Sequence, residues 1–248
     1  MGFRELIKKA REEKNSPIVL ALDLRPDKPS KLMRKASRVL EETAPYICAV
    51  KLNFHLILPL GLSGIRPILD AAHGSGLACI ADVKLGDIGP TNEIAASYFF
   101  EAGFDALTAS PLPGWEGGLE PLFKLAREAG KGVIVLAYMS HPGASETFGL
   151  EIAGREGKSQ RLYELFAEKA LDWDADGLVV GATRPEVIRA IRERVGPGML
   201  IFAPGVGFQG GDAKAALKAG ADFLIVGRSI VLADEPGRAA KSLLEALK

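Results

Sequence analysis

The sequence has little cysteine and little histidine, and the few such residues do not follow a metal-binding pattern. Its 248 residues include only two cysteines, Cys48 and Cys79, and both lie inside apolar runs. We expect two buried, reduced thiols, because neither their spacing nor their surroundings is typical of a metal site. The three histidines also lack the spacing of metal ligands. Neither residue type therefore predicts a metal centre.

An excess of one charge and a long apolar run are absent too. Lys plus Arg and Asp plus Glu each number 31, so the formal net charge is zero. No overall field then favours nucleic acid or an anionic membrane as partner. No apolar run reaches the length that spans a bilayer, and the first residues lack the core of a secretion signal. These features predict a cytoplasmic protein with no nucleic-acid or membrane partner.

What the sequence does contain is a regular alternation of short apolar runs and amphipathic segments. The predicted strands span 18–24, 47–52, 77–84, 106–109, 132–138, 177–180, 200–203 and 223–226. The predicted helices span 31–44, 64–75, 91–102, 117–129, 160–173, 185–195, 212–219 and 236–247, with an extra N-terminal helix over 3–13. Eight strand–helix pairs in this length are typical of an α/β (β/α)₈ TIM barrel, predicted here as a single domain over 1–248. A doubly wound open sheet is the alternative, although no glycine fingerprint follows the first strand.

Charged residues stand at the ends of the first three predicted strands, where a barrel of this type places its chemistry. Asp23 ends the first strand, Lys51 the second, and Asp82 with Lys84 the third, with Asp87 just beyond. Because side chains two apart on a strand share a face, Asp82 and Lys84 point the same way. Buried charge is costly unless it is paired or used. We interpret the group as a reaction site, with salt bridges that close the barrel as the alternative.

Loops of unusual composition or length follow three of the later strands. Four glycines lie between positions 205 and 211, and their backbone N–H groups can approach an anion closely. Arg228 follows the last strand and offers a guanidinium matched to phosphate geometry. These two loops form the usual phosphate site of the fold. The loop over 139–158 is long for a simple connection and is predicted to be a functional lid.

Taken together, these motifs resemble the orotidine 5′-phosphate decarboxylase family, and its archaeal branch most closely. The matching residues are Asp23, Lys51, the Asp-x-Lys-x-x-Asp motif of Asp82, Lys84 and Asp87, then Ile88, Thr91 and Ser140, the run 204–211 and the run 226–229. The resemblance extends from the first strand through the final helix. Asp-x-Lys-x-x-Asp alone is shared across a superfamily, whereas the Gln-Gly-Gly loop with Gly-Arg narrows the resemblance to the decarboxylase.

The resemblance implies a carboxy-lyase that converts orotidine 5′-monophosphate to UMP and CO₂, the last step of de novo pyrimidine biosynthesis. It implies no metal and no organic cofactor. Lys84 is implied as the proton donor, with Asp82 beside the departing carboxylate and Lys51 linking that acid to the ribose hydroxyls. A homodimer is implied as well, in which Asp87 and Thr91 reach into the neighbouring subunit's site.

The resemblance also implies the residues that bind the nucleotide. Asp23 would hold the ribose, Ser140 would read the pyrimidine edge, and Gln209 would bridge base and phosphate. The phosphate would be bound by Gly227 and Arg228. The remaining implied contacts are Ile88, Pro204, Gly205, Val206, Gly207 and Gly210, whereas Phe208 is interpreted as a tolerated variable position.

Two other functions stay open at this point. A sugar-phosphate decarboxylase or aldolase of the same superfamily would share Asp-x-Lys-x-x-Asp but depend on a metal, so EDTA would abolish its activity. A barrel that binds nucleotides without catalysis would bind a UMP analogue and release no CO₂.

Overall fold

A closed barrel of eight parallel strands forms the centre of the computed structural model, which describes residues 1–153 and 159–248. The barrel strands are β1 (Ile18–Ala21), β2 (Ala49–Asn53), β3 (Ala78–Leu85), β4 (Ala106–Ala109), β5 (Gly132–Tyr138), β8 (Gly177–Val180), β9 (Leu200–Pro204) and β10 (Phe223–Val226). Strand β10 pairs with β1 and closes the ring. Two short strands, β6 (Glu151–Ala153) and β7 (Ser159–Arg161), form an antiparallel pair outside it. The predicted TIM barrel is confirmed, and the open-sheet alternative is wrong.

Helices connect the strands and surround the barrel. They are α1 (Phe3–Lys14), α2 (Pro29–Thr43), α3 (Phe54–Gly74), α4 (Gly89–Ala102), α5 (Glu120–Glu128), α6 (Leu162–Asp172), α7 (Pro185–Val195), α8 (Ala213–Lys218), α9 (Arg228–Val231) and α10 (Pro236–Leu247). Several begin with a proline in the first turn, where its missing N–H has no partner to lose. Within the described residues, no helix has the length and hydropathy needed to cross a bilayer.

The N-terminal end of the barrel is closed by aromatic packing under α1. The Phe3 ring stacks on Phe202 with centroids 6.5 Å apart, and Phe202 stacks on Phe223 at 4.9 Å. A Cβ at Gly132 would lie 2.4 Å from the Phe3 ring, so only glycine allows this approach. Because α1 fills this end, the cavity of the barrel opens at the other end.

Aspartates join neighbouring strands at the same closed end. Asp105, Asp176 and Asp222 each stand one residue before a barrel strand, and each carboxylate accepts a backbone N–H from an adjacent strand. The donors are Cys79 at 2.9 Å, Val133 at 2.9 Å and Ile201 at 2.8 Å respectively. Basic side chains pair with each of these acids. Asp105 pairs with His73 and Lys131, Asp176 pairs with Arg4, and Asp222 pairs with Arg192. These bonds fix the alignment of neighbouring strands at the end of the barrel opposite the cavity.

Several element ends shift by a few residues, for example β1, which ends at Ala21 so that Asp23 lies just beyond it, and two segments differ more. Helix α3 begins at Phe54 rather than near 64 and continues across a kink at Gly61, where φ is 66°. Pro59 and the glycine interrupted the helical period, so only the second half was predicted. Strands β6 and β7 lie in and beyond the predicted lid, and β7 occupies the start of the helix predicted over 160–173. Residues 154–158 of that lid lie outside the described residues.

Candidate active site

A cavity of about 270 Å³ opens at the C-terminal end of the barrel. Its floor is apolar and is formed by Ile80, Ile134, Leu136, Val179, Phe202 and Ile225. Charged residues in or just beyond the first three strands line one side, namely Asp23, Lys51, Asp82 and Lys84. The opposite side is lined by Pro204, Gly205, Val206, Phe208, Gln209, Gly227 and Arg228, with Met139, Ser140 and His141 between the two sides. One concave site thus brings together most of the predicted residues.

The charged side of the cavity is an alternating chain of acids and lysines. Lys51 Nζ lies 2.6 Å from Asp82 Oδ2 and 3.8 Å from Asp23 Oδ1. Lys84 Nζ lies 2.5 Å from Asp82 Oδ1, so Asp82 is bonded to both ammonium groups. Strand pairing explains the arrangement, because Ala21 is aligned with Lys51 and Asn53 with Asp82. The predicted convergence of these four charges is confirmed.

The electrostatics keep Asp82 and Lys51 ionised despite their burial. Burial alone would raise the pKa of Asp82, but the ammonium groups of Lys51 and Lys84 outweigh it and hold that pKa well below its usual range. Burial would likewise lower the pKa of Lys51, whose side chain is only 6% exposed, yet Asp82 and Asp23 raise it. The site therefore holds fixed charges near neutral pH.

A bulge in β3 sets the direction of Lys84. Ala81 is aligned with Leu107 and Leu85 with Ala109, so three residues of β3 stand opposite Thr108 alone. Within the bulge Lys84 has a φ of 48°, a left-handed value that is uncommon outside glycine. The Thr108 hydroxyl accepts the Lys84 N–H at 2.9 Å and donates to Asp82 Oδ1 at 3.1 Å. Thr108 thus supports both residues, and it was not predicted because it reads as an ordinary strand residue.

Asn53 is a second residue that the sequence reasoning missed. Its side-chain amide donates to Asp23 Oδ1 at 2.7 Å, and its side-chain oxygen accepts the N–H of His55 at 2.9 Å. One residue therefore caps α3 and orients an acid of the site. The sequence does indicate its place, because Asn53 follows Lys51 by two residues on the same strand and side chains two apart share a face.

Close backbone packing brings two predicted base-binding residues together. Gly205 has a φ of 97°, and a Cβ there would lie 2.7 Å from Gln209 Oε1 and 2.8 Å from the Cβ of Ser140. Only glycine fits at this point, so Gln209 and Ser140 can both pack against the backbone of the loop after β9. His141 also lines the cavity, although the spacing of the histidines indicates no metal site.

Some predicted site residues do not line this cavity. They are Asp87, Ile88, Thr91, Gly207 and Gly210. The turn with Asp87 and Ile88 is held by the buried Asn92 side chain, which accepts the Asp87 N–H at 3.0 Å and donates to the Asp87 carbonyl at 2.6 Å. Ile88 is 64% exposed beside it. The assignment of Asp87 and Thr91 to a neighbouring subunit's site stays a prediction.

The closed end of the barrel holds another cluster of polar side chains. His73, Cys79 and Asp105 place three possible metal-ligand atoms within 4.8 Å of one another. The carboxylate of Asp105 is already engaged by His73 at 2.8 Å, by Lys131 at 3.1 Å and by the Cys79 N–H at 2.9 Å. Burial raises the pKa of the Cys79 thiol well above its usual value. We therefore assign this cluster to strand alignment.

Comparison with known proteins gives consistent results. The sequence model of the orotidine 5′-phosphate decarboxylase / HUMPS family matches residues 16–243. An orotidine 5′-phosphate decarboxylase of Pyrococcus abyssi is 38% identical over 231 residues, covering 93% of this chain and 99% of the relative. The corresponding protein of Thermococcus kodakarensis is 39% identical over 230 residues, covering 93% and 96%. The crystal structure of orotidine 5′-monophosphate decarboxylase from Methanocaldococcus jannaschii, complexed with the inhibitor BMP, superposes with a TM-score of 0.79 at 27% identity, covering 94% and 99%.

Proposed function

The chain belongs to the orotidine 5′-phosphate decarboxylase / HUMPS family, and from this premise we propose that its cavity converts orotidine 5′-monophosphate to UMP and CO₂. The observation that carries the proposal is the Lys84 ammonium, fixed 2.5 Å from Asp82 at the mouth of an apolar pocket. This reaction belongs to pyrimidine biosynthesis, which favours a cytoplasmic location.

The chemistry requires a positive charge outside the substrate ring. Loss of CO₂ leaves an electron pair in an in-plane carbon orbital that the pyrimidine π system cannot delocalise. An ammonium about 4 Å away stabilises that charge by roughly 4 kcal/mol at an effective dielectric near 20, which corresponds to about a thousandfold in rate. Lys84 then delivers a proton to the same carbon. Its fixed pairing with Asp82 means that little reorganisation is needed during the reaction.

The other residues of the cavity bind and orient the nucleotide. Lys51 lies between Asp82 and Asp23, which suits a link from the reacting end to the ribose hydroxyls. Ser140 and Gln209 both pack against Gly205, and this position suits contact with the pyrimidine edge. Arg228 lines the opposite side and binds the phosphate, together with the glycine loop.

We extend the proposal to a homodimer. Large apolar side chains are exposed on α3, on α4 and on the loops beside them, namely Phe54, Leu58, Ile88, Ile94, Tyr98 and Leu112. An exposed apolar surface of this kind is typical of an association site. Because Asp87 and Thr91 lie on the same side of the barrel and outside the cavity of their own chain, pairing of two copies would bring them to the partner's cavity.

Incubation of the purified protein with orotidine 5′-monophosphate, with and without EDTA, tests the proposal. We expect the ultraviolet absorbance of the substrate to change as UMP forms, at the same rate in both samples. Activity that EDTA abolishes would indicate the metal-dependent sugar-phosphate chemistry of the superfamily. Tight binding of UMP without release of CO₂ would indicate a nucleotide-binding barrel instead.

A further inference from the structure

A guanidinium lies over an aromatic ring in the lining of the cavity, and neither the sequence motifs nor the reaction accounts for the contact. The guanidinium carbon of Arg228 lies 3.9 Å from the centroid of the Phe208 ring. We propose that Phe208 is a positioning residue, which holds Arg228 ready for the substrate phosphate. This inference rests on the proposed function and replaces the view of position 208 as merely variable.

Stacking suits this task because it leaves the guanidinium free to bind an anion. A phenyl ring carries no oxygen or nitrogen acceptor, so contact with it occupies none of the N–H donors of the arginine. A carboxylate partner would occupy two donors and cancel the charge. Among residues 1–153 and 159–248, the ring of Phe208 is the only partner of the Arg228 guanidinium.

The backbone places Phe208 over Arg228. The Phe208 N–H donates to the hydroxyl of Ser229, the residue next to Arg228, at 3.1 Å. Gly207 has a φ of 73°, and a Cβ there would lie 2.5 Å from that same hydroxyl, so glycine is required for the approach. The loop after β9 is thus fastened to the start of α9, with the ring directed at the arginine.

Exposure of the ring supports a functional contact. Phe208 is 62% exposed, so burial in the core does not explain a phenylalanine at this position. A cation over an aromatic face at such a site is worth about a two- to fivefold change in an equilibrium. Because Arg228 is held before the phosphate arrives, less side-chain freedom is lost on binding.

Substitutions at position 208 distinguish the effect of the aromatic ring from the effect of its apolar bulk. We expect Phe208→Leu, which keeps the apolar bulk, to raise KM for orotidine 5′-monophosphate and weaken UMP binding by about two- to fivefold. kcat/KM for orotidine, which has no phosphate, should stay unchanged. Phe208→Tyr should restore wild-type values, and Leu171→Ala, on an exposed leucine of α6, serves as the control. Wild-type behaviour of Phe208→Leu, or an equal loss with orotidine, would overturn the inference.

A double-mutant cycle with Arg228→Ala tests whether Phe208 acts through the arginine. If it does, Phe208→Leu adds no further loss once Arg228 is gone. Additive losses would mean that Phe208 contributes independently, and the inference would be wrong. Turnover of the natural substrate by the wild type tests the proposed function separately, since the UMP-binding arm of the cycle needs no catalysis.

Discussion

Lys84, the proposed proton donor, occupies a backbone conformation that costs stability. Its φ of 48° is held by the bulge in β3 and by the hydroxyl of Thr108. A non-glycine residue in this region is strained, and such strain persists only where the surroundings determine it. Here the surroundings include Asp82, whose carboxylate bonds both Lys84 and Thr108. The ammonium is therefore fixed before the substrate binds.

We predict that Lys84→Ala abolishes decarboxylation. Without its ammonium the site has no proton donor at the reacting carbon, and general acid catalysis alone is worth about a hundred- to ten-thousandfold. UMP should still bind within a few-fold of the wild-type affinity, because the phosphate loop is untouched. Stopped assays and UMP titration measure the two quantities, with Lys124→Ala on α5 as a matched control. Near-normal turnover would show that the donor is another residue.

We predict that Thr108→Val lowers kcat more than it raises KM. The substitution keeps the shape but removes the hydroxyl, so the Lys84 N–H and an oxygen of Asp82 each lose a partner. An unsatisfied buried group of this kind costs about 1–3 kcal/mol of unfolding free energy. Steady-state kinetics and urea unfolding provide the measurements. Thr108→Ser keeps the hydroxyl and should retain most of the activity, and a kcat unchanged in Thr108→Val would contradict the role.

Among the elements, the sequence predicts the strands better than the contacts between them. The strands at 106–109, 132–138, 177–180 and 223–226 match the structure, because each is a short, mostly apolar run that begins next to a polar residue. The ends at Asp23, Lys51, Asp82 and Lys84 could be read as a site, since a barrel brings its strand ends together. Thr108 and Asn53 could not be identified in this way, because their roles depend on the alignment of neighbouring strands. That alignment does not follow from the sequence of any one strand.

At the N-terminal ends of β3 and β4, we predict a pH-dependent contribution of His73 to stability. The hydrogen bond to Asp105 raises the pKa of His73, with burial and Lys131 opposing and Asp70 reinforcing. A raised pKa means that the stabilisation is complete below about pH 6.5 and is lost as the pH rises through the folded-state pKa. Because His73 is 38% exposed, the contribution is at most about 1 kcal/mol.

Comparison with His73→Gln measures this contribution, because glutamine can still donate a hydrogen bond but carries no charge. The difference in unfolding free energy between wild type and variant should be larger at about pH 5.5 than at about pH 9. Urea unfolding at both values measures it. An equal difference at the two pH values would mean that the charge of His73 does not contribute.

Across the whole molecule, stability and chemistry occupy opposite ends of the barrel. The aspartates that bond neighbouring strands and the aromatic stack under α1 lie at the N-terminal end. The strained lysine and the glycine loops lie at the C-terminal end. This separation lets the loops vary without loss of the fold. Asp87 and Thr91 lie outside the cavity of their own chain, and in the proposed dimer they reach the cavity of the partner.

Mixing two inactive variants tests this proposed sharing of residues between two copies. In the proposed dimer each cavity uses Lys84 of its own chain and Asp87 of the partner chain. We expect Lys84→Ala and Asp87→Ala each to have little activity alone. After subunit exchange half of the dimers are mixed, and in each of these one cavity has both residues intact. The mixture should therefore regain about a quarter of the wild-type activity per site. If Asp87 served its own chain's cavity, no mixed dimer would contain a complete site and no activity would return.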